Sequence, residues 1–151
     1  MTTSATRLRP YQAADEEGAI ELWRRTWQVA YPDIDFNERL DWWRERWRGD
    51  TTLTSSVVVA ERGSELIGFV TINGETGYLD QLVVAPEAWG TGLADALMAE
   101  AFRGSPRGID LHVNTDNLRA IRFYQRHGFS TVSESINPRS GRAVYLLRWR
   151  P

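Results

Sequence analysis

The sequence predicts one α/β domain with seven strands and about four helices, in the order β-α-α-β-β-β-α-β-α-β-β. Short segments rich in β-branched residues alternate with longer segments whose apolar residues recur every three or four positions, a pattern typical of strands and amphipathic helices. The length of 151 residues suits a single domain with a full hydrophobic core and is short for two. We therefore expect one domain over residues 1–151.

The N-terminal part of this order is a short strand followed by two helices. The strand is expected over residues 7–11, and the first helix begins within 13–17, where acidic residues favour the positively polarised helix start, and ends at Pro32. The second helix is expected over about 37–48. Both helices carry large aromatic residues at helical spacing, which we interpret first as core or dimer-interface residues. These residues are Trp23, Trp27, Tyr31, Trp43 and Trp47.

Turns rich in glycine, proline and asparagine separate the remaining elements. Three successive strands joined by the short turns 62–64 and 73–76 predict an antiparallel meander. The expected strands are 56–62, 66–73, 77–84, 109–114, 129–134 and 143–149, and the expected helices are 91–102 and 117–127.

The segment 79–94 combines a strand, a short glycine-bearing turn and a helix start. Gly90 and Gly92 remove side chains where backbone N–H groups can approach a ligand. The first N–H groups of the following helix have no helical partner and carry partial positive charge, which favours phosphate binding. An ordinary strand-to-helix turn, whose glycines only permit close packing, is the alternative.

Two common phosphate-binding motifs do not fit this loop. A P-loop ends in Gly-Lys-Ser/Thr, whereas Leu93 and Ala94 follow Gly92. A dinucleotide fingerprint has a third glycine at the position that Asp95 occupies. These departures exclude the first motif and disfavour the second.

The segment 117–129 connects the loop to a known family. It reads Asn-Leu-Arg-Ala-Ile-Arg-Phe-Tyr-Gln-Arg-His-Gly-Phe and resembles the second signature of the GNAT superfamily of acetyl-CoA-dependent N-acetyltransferases, Asn-x-x-Ala-x-x-Phe-Tyr-x-x-x-Gly-Phe, at every fixed position. The loop is similar to that family's coenzyme A loop, Arg/Gln-x-x-Gly-x-Gly/Ala, at Gly92 and Ala94, with Trp89 where Arg or Gln is usual. The resemblance covers residues 77–149 closely and the first half in general layout.

This resemblance implies a mixed, mostly antiparallel seven-stranded sheet and acetyl-CoA as cosubstrate. In the family, the strands that end here near Val84 and Asn114 part, and the pantetheine arm enters between them, where unpaired backbone groups need a partner. The loop amides then receive the pyrophosphate. The coenzyme-binding residues implied in this way are Leu82, Val83, Val84, Trp89, Gly90, Thr91, Gly92, Leu93, Ala94, Asn117, Phe123 and Tyr124.

The same resemblance implies proton chemistry at Tyr124, because the family's tyrosine at this position protonates the departing thiolate. From helical spacing alone, a buried tyrosine with a satisfied hydroxyl is the alternative. Asn117 is interpreted first as a helix cap and second as a contact of the coenzyme arm. Asp80 is the best-placed candidate general base, since strand alternation puts it on one face with Leu82 and Val84. A solvated or hydrogen-bonded strand carboxylate is the other interpretation of Asp80.

In the resembled family the first two helices wall the acceptor site, so Trp27 and Tyr31 are candidate substrate contacts. Alternation points His112 away from the face of its apolar neighbours, where it lines the substrate side or faces solvent. His127 lies in the last turn of its helix, where a partly positive imidazole favours the helix dipole. Neither histidine has a partner for a metal site, so we expect no metal.

Composition disfavours several other classes of protein. The absence of cysteine excludes disulfides, a zinc-thiolate site and a cysteine nucleophile, and agrees with a cytoplasmic location. A net charge of −2 disfavours a nucleic-acid partner. No signal core or run of membrane-spanning length is present, so we expect no membrane partner.

The sequence thus predicts transfer of an acetyl group from acetyl-CoA to a primary amine of a small molecule or peptide, by direct attack in a ternary complex. An inactive coenzyme-A-binding regulatory or structural domain is one alternative. An enzyme acetylating lysines or N-termini of proteins, with an open groove beside the second helix, is another. A homodimer is compatible with the family's habit. Arginines of the first two helices form either an acidic-acceptor site or a solvated face, while the aromatic residues suit an apolar or cationic amine. These arginines are Arg24, Arg25, Arg44, Arg46 and Arg48.

Overall fold

The computed structural model describes residues 5–151, and within them all seven predicted strands are present. The strands are β1 (Thr6–Pro10), β2 (Ser56–Arg62), β3 (Glu65–Ile72), β4 (Leu79–Val84), β5 (Ile109–Asn114), β6 (Ser130–Ile136) and β7 (Ala143–Trp149). They form two antiparallel sheets, one in the order β1-β2-β3-β4 and the other in the order β5-β7-β6. The predicted antiparallel meander is confirmed as β2-β3-β4.

The two sheets meet at a single point along β4 and β5. An isolated parallel bridge joins Tyr78 to Asp110, and the Asp110 N–H donates to the Gly77 carbonyl at 2.9 Å. Beyond this bridge no further pairing joins β4 to β5 in the described part of the chain. The expected parting of the two strands is therefore confirmed, and it opens a gap in the middle of the molecule.

Four main helices accompany the sheets. They are α1 (Glu16–Ala30), α2 (Leu40–Arg46), α3 (Leu93–Gly104) and α4 (Leu118–Arg126). A 3₁₀ turn (Phe36–Arg39) leads into α2 and is capped by Asp35, whose side chain accepts from the Asn37 N–H at 3.0 Å. Both α1 and α3 pack against β3 and β4.

The predicted end of the second helix at residue 48 is wrong. The chain continues through a π-helical turn (Trp47–Thr51) and one more helical turn (Thr52–Thr54). Two threonine hydroxyls donate back to carbonyls of the preceding turn: Thr52 to Trp47 at 3.0 Å and Thr54 to Asp50 at 2.9 Å. These bonds extend the helical path past Gly49, which the sequence pattern did not reveal.

The start of β4 is also later than predicted. Gly77 has φ +77°, and a Cβ there would lie 2.7 Å from the Gly108 carbonyl oxygen. This left-handed conformation belongs to a turn, so the strand begins at Leu79.

The interpretation of the tryptophans as core residues is confirmed for three of them. Trp23, Trp43 and Trp47 are buried, and the rings of Trp23 and Trp43 stack with centroids 4.8 Å apart. Trp27 and Trp42 are only partly buried and pack at the edge of the core. Among the described residues, none of the helices combines the length and apolar character that crossing a membrane requires.

Candidate active site

A cavity of about 490 Å³ lies where β4 and β5 part. Its walls come from α1, α2, the parting strands, the start of α4 and the β6–β7 hairpin. The predicted site residues that line it are Trp27, Tyr31, Asp80, Leu82, His112, Asn117 and Tyr124. The predicted residues outside its lining are Val83, Val84, Trp89, Gly90, Thr91, Gly92, Leu93, Ala94 and Phe123. The cavity therefore joins the predicted catalytic and substrate residues but not the predicted phosphate loop.

The register of β4 decides which of its peptide groups face the gap. The Ala85 N–H donates to the Ile67 carbonyl at 2.8 Å, and peptide groups alternate in direction along an antiparallel strand. The peptide groups of Val83 therefore point toward β3, and those of Leu82 and Val84 point toward the open edge. Such an edge accepts an extended, amide-bearing ligand as if it were another strand. Of the three predicted residues of β4, only Leu82 and Val84 therefore have peptide groups that face the gap.

The predicted phosphate loop, residues 89–94, owes its shape to two glycines. Gly90 and Gly92 have φ +78° and +86°, values that other residues adopt only at a cost, and the space beside both Cα atoms is open. The first helical bond of α3 runs from the Ala96 N–H to the Gly92 carbonyl at 3.1 Å. The N–H groups of residues 93–95 precede that bond and point out of the helix start. The loop therefore has the geometry of an anion site.

Trp89 occupies the junction between this loop, β4 and α4. Its indole N–H donates to the Val84 carbonyl at 2.8 Å. The guanidinium carbon of Arg119 lies 3.9 Å from the centroid of its ring. The residue that replaces the usual Arg or Gln thus holds a cation from α4 beside the loop, which the sequence did not predict.

Asp95 and His127 lie at the edge of the loop and outside the cavity. The Asp95 carboxylate contacts His127 Nε2 at 2.8 Å. This contact ties the start of α3 to the end of α4. His127 therefore has a structural partner and no place in the cavity.

Tyr124 is buried, and its ring packs edge-on against Phe123 and Phe129. Burial raises the pKa of Tyr124, and no hydrogen bond to another described residue offsets that effect. The hydroxyl therefore keeps its proton and lines the cavity as an unused donor. The alternative of a satisfied buried hydroxyl is not what the structure shows.

Asn117 caps α4 as predicted. Its Oδ1 accepts from the Ala120 N–H at 3.3 Å. Asn117 also lines the cavity, together with Tyr124 of the same helix.

Asp80 sits in a β-bulge that simple alternation does not describe. Thr71 pairs with Gln81 and Ile72 with Leu79, so Asp80 is an extra residue in β4. Its Oδ1 accepts from Arg46 at 2.5 Å. Its Oδ2 is buried without a hydrogen-bond partner among the described residues, which is costly for a carboxylate.

Tyr78 is a cavity residue that the sequence analysis missed. Its hydroxyl lies 2.7 Å from His112 Nδ1, and both side chains line the cavity. Burial, reinforced by the Asp80 charge, raises the pKa of Tyr78 to about 12. His112 therefore lies on the substrate side, one of its two predicted positions.

The aromatic end of α1 closes the cavity against β5. The rings of Trp27 and Tyr31 stack with centroids 5.7 Å apart. The Tyr31 hydroxyl lies 3.0 Å from both Asn114 Nδ2 and Asp116 Oδ1. These two bonds hold Tyr31, one of the predicted substrate contacts, in place.

Four of the five arginines proposed for an acidic acceptor instead form ion pairs with glutamates outside the cavity. Arg24 pairs with Glu21, Arg25 with Glu87, Arg44 with Glu17, and Arg48 with Glu16. Only Arg46 reaches the cavity, together with three arginines that the sequence analysis did not select. These are Arg39, Arg139 and Arg142.

The described residues include no group of three or more His, Cys, Asp or Glu side chains placed to hold a metal ion.

Comparison with known proteins relates this geometry to one family. A sequence model of the acetyltransferase (GNAT) family matches residues 17–129. The peptidyl-lysine N-acetyltransferase YiaC of Escherichia coli is 28% identical over 149 residues, covering 94% of this chain and 95% of the relative. The peptidyl-lysine N-acetyltransferase YjaB of Salmonella typhimurium is 32% identical over 141 residues, covering 93% and 94%. The fold is similar to that of the PaiA N-acetyltransferase of Thermoplasma acidophilum in complex with coenzyme A, with a TM-score of 0.78, 20% identity, and coverage of 97% and 99%.

Proposed function

This chain belongs to the acetyltransferase (GNAT) family, and we propose that it transfers the acetyl group of acetyl-CoA to a primary amine. We assign the activity to one domain formed by the whole chain. The observation that carries the proposal is the cavity between β4 and β5, which brings a protonated tyrosine and a free carboxylate oxygen to the open edge of a strand.

The coenzyme is proposed to bind to backbone groups. The N–H and C=O of Leu82 and the N–H of Val84 face the gap and suit the amides of the pantetheine arm, whereas the Val84 carbonyl already accepts from Trp89. The amides of the loop 89–94 suit the diphosphate, because they lie at a helix start. Arg119, held on the Trp89 ring, adds a positive charge next to them. Phe123 packs against the ring of Tyr124, and its proposed role is to support that ring.

The reaction is proposed as direct attack of the amine on the thioester. The amine nitrogen forms a bond to the carbonyl carbon as the bond from that carbon to sulfur breaks. Asp80 Oδ2 accepts a proton from the attacking nitrogen, while Arg46 holds the other carboxylate oxygen. Tyr124 donates its proton to the departing thiolate, and solvent returns the proton from Asp80 to Tyr124 after each turnover.

A lysine side chain of a peptide is a specific candidate acceptor. Two relatives that align along almost their whole length are named peptidyl-lysine N-acetyltransferases. Trp27, Tyr31 and His112 are proposed to contact the acceptor, since all three line the cavity. Small-molecule amines are the second candidate class, because the cavity is walled on several sides.

Assembly and location extend the proposal. We place the enzyme in the cytoplasm, in agreement with its cysteine-free sequence, and expect a homodimer. Analytical ultracentrifugation tests the second point, and a single monomeric species would contradict it.

The proposal is tested with the purified full chain, acetyl-CoA and a panel of small amines and lysine peptides. Thiol release and the mass of the product measure acetyl transfer. Self-acetylation of lysine side chains cannot contribute, because all 18 basic side chains counted as Lys or Arg are arginine. Acetyl-CoA binding by calorimetry without any thiol release would instead identify an inactive coenzyme-binding domain. The absence of both binding and transfer would overturn the proposal.

A further inference from the structure

Positively charged side chains outnumber negatively charged ones in the lining of the cavity. Four arginines and one carboxylate, Asp80, contribute to its walls. Arg46 is neutralised by Asp80, and Arg142 contacts Asp116 at 3.2 Å. The guanidinium groups of Arg39 and Arg139 form no ion pair or hydrogen bond with any residue in 5–151. The cavity thus presents two cations whose partners are not supplied by the described chain.

Both of these guanidinium groups rest on aromatic rings. Arg39 lies with its guanidinium carbon 5.2 Å from the centroid of Phe36, and Arg139 lies 3.9 Å from the centroid of Trp42. A cation–π contact holds a guanidinium through its charge and requires no hydrogen-bond acceptor for its N–H groups. The rings therefore position the two groups without using their hydrogen-bonding capacity.

Helical spacing and the hairpin bring the two cations to the same site. Arg39, Trp42 and Arg46 recur at intervals of three and four residues, which places them on one face of the α2 region. Arg139 reaches Trp42 from the opposite wall, in the turn between β6 and β7. The Asn137 side chain fixes that turn by accepting from the Arg139 N–H at 2.9 Å.

Two neighbouring arginines, by contrast, have carboxylate partners that α1 supplies. Arg44 of α2 contacts Glu17, and Arg48 of the following π-helical turn contacts Glu16. Arg39 is half-buried and has no such partner in the described structure. A half-buried unpaired cation is costly, and an anion of a bound ligand removes that cost.

We infer that the acceptor amine also carries an oxyanion, a carboxylate or a phosphate, which Arg39 and Arg139 bind while the amine approaches Asp80. The inference rests on the proposed function and names the chemical class of its acceptor. The Oδ2 of Asp80, which has no partner in the described structure, receives the amine end, and the two guanidinium groups over the aromatic rings receive the oxyanion end. A free amino acid and a lysine beside an acidic residue in a peptide both have this chemistry.

The test compares amines that differ only in the anion. The pairs are γ-aminobutyrate with n-butylamine, O-phosphoethanolamine with ethanolamine, and blocked lysine peptides with Asp or Asn beside the lysine. We expect kcat/KM to be at least about tenfold higher for the anionic member of one pair, since charge-assisted bonds to arginine are among the stronger polar contacts. The pair that shows the preference identifies the source of the oxyanion.

Two variants then locate the preference. R39Q and R139Q are each expected to lower kcat/KM for the preferred anionic amine about tenfold and to leave its neutral partner within about twofold. R107Q is the matched control, because Arg107 is exposed and does not line the cavity. Equal kcat/KM within all three pairs, or equal losses for both members of a pair, would overturn the inference.

Direct binding separates this inference from the proposed function. Calorimetry with the coenzyme-A-loaded protein measures the affinity of each amine without turnover. Tighter binding of an anionic amine that is lost in R39Q and R139Q supports the inference, whether or not thiol is released. The absence of thiol release would overturn only the proposed acetyl transfer. Equal affinity within every pair overturns the inference and leaves acetyl transfer to stand on its own assay.

Discussion

The proposed coenzyme side and the proposed acceptor side of the gap are built from different parts of the chain. The coenzyme side uses backbone groups of β4, the loop and the start of α3, all within residues 79–95. The acceptor side uses side chains from α1, α2, β5 and the β6–β7 hairpin. Recognition by backbone depends on glycines and register in one short segment, whereas recognition by side chains depends on how distant segments pack.

Because of this difference, mutations on the two sides should affect specificity differently. A substitution on the acceptor side replaces one contact and leaves the coenzyme side intact, because the two sides share few residues. A substitution in the loop instead alters a conformation on which several amides depend. We therefore expect acceptor specificity to change more easily than coenzyme specificity.

The largest effect is expected where the two sides meet. Y124F removes the proton donor and should lower kcat about 100- to 10,000-fold, the usual contribution of a general acid, with little change in the KM for acetyl-CoA. Burial raises the pKa of Tyr124, so the wild-type hydroxyl stays protonated, and activity should not decline up to about pH 10, where an ordinary tyrosine ionises. Thiol release across pH measures both effects. Y145F, a tyrosine outside the cavity lining, is the control, and a Y124F enzyme of normal kcat would remove the proposed acid.

The second-largest effect is expected from Asp80, the proposed base for the attacking amine. D80N should lower kcat/KM for the amine about 100-fold near neutral pH, and the defect should shrink as pH rises and more amine is already deprotonated. Initial rates against amine concentration at several pH values measure it. D41N changes a fully exposed aspartate on α2 and serves as the control. A defect of constant size at every pH would show that Asp80 acts only through its ion pair with Arg46.

A smaller effect is expected from the loop backbone. G92A places a side chain at φ +86°, which costs about 1–2 kcal/mol, and should weaken acetyl-CoA binding about 5- to 30-fold as the loop leaves its present shape. Calorimetry with acetyl-CoA and thermal unfolding measure the effect together. G49A is the matched control, because a Cβ there also meets open space but the backbone is not left-handed. Unchanged affinity for acetyl-CoA with a lower melting temperature would show that Gly92 contributes to the stability of the fold and not to coenzyme binding.

The smallest effect is expected from the cation on Trp89. R119Q should raise the KM for acetyl-CoA about two- to fivefold, the size of an exposed charge contact, and should reduce the dependence of that KM on salt. Steady-state kinetics at low and high salt measure the change. R126Q alters an arginine of the same helix that stacks on Phe123 instead, and should have no such effect. Equal effects of the two variants would indicate a general contribution of the basic helix.

Local sequence accounted for the coenzyme side because its determinants are local. Gly90 and Gly92 adopt the left-handed backbone that a glycine-bearing turn favours, and Asn117 caps α4 as its residue type suggests. The strands β2, β5 and β7 have their predicted bounds, since each is a continuous apolar or alternating segment between turn residues. The extension of the second helix to Thr54 was missed, because hydroxyl bonds to the preceding turn leave no periodic pattern.

The amino-acid sequence by itself determined the order of elements, the phosphate loop and the position of Tyr124, since spacing along the chain fixes each of these. Only the tertiary structure decided the bulge that orients Asp80, the bond from Trp89 to Val84 and the two unpaired cations on Phe36 and Trp42. The bulge depends on how β4 pairs with β3, and the contact of Arg139 with Trp42 joins residues far apart in the chain. The energies of these features depend on packing and desolvation, which no local pattern records.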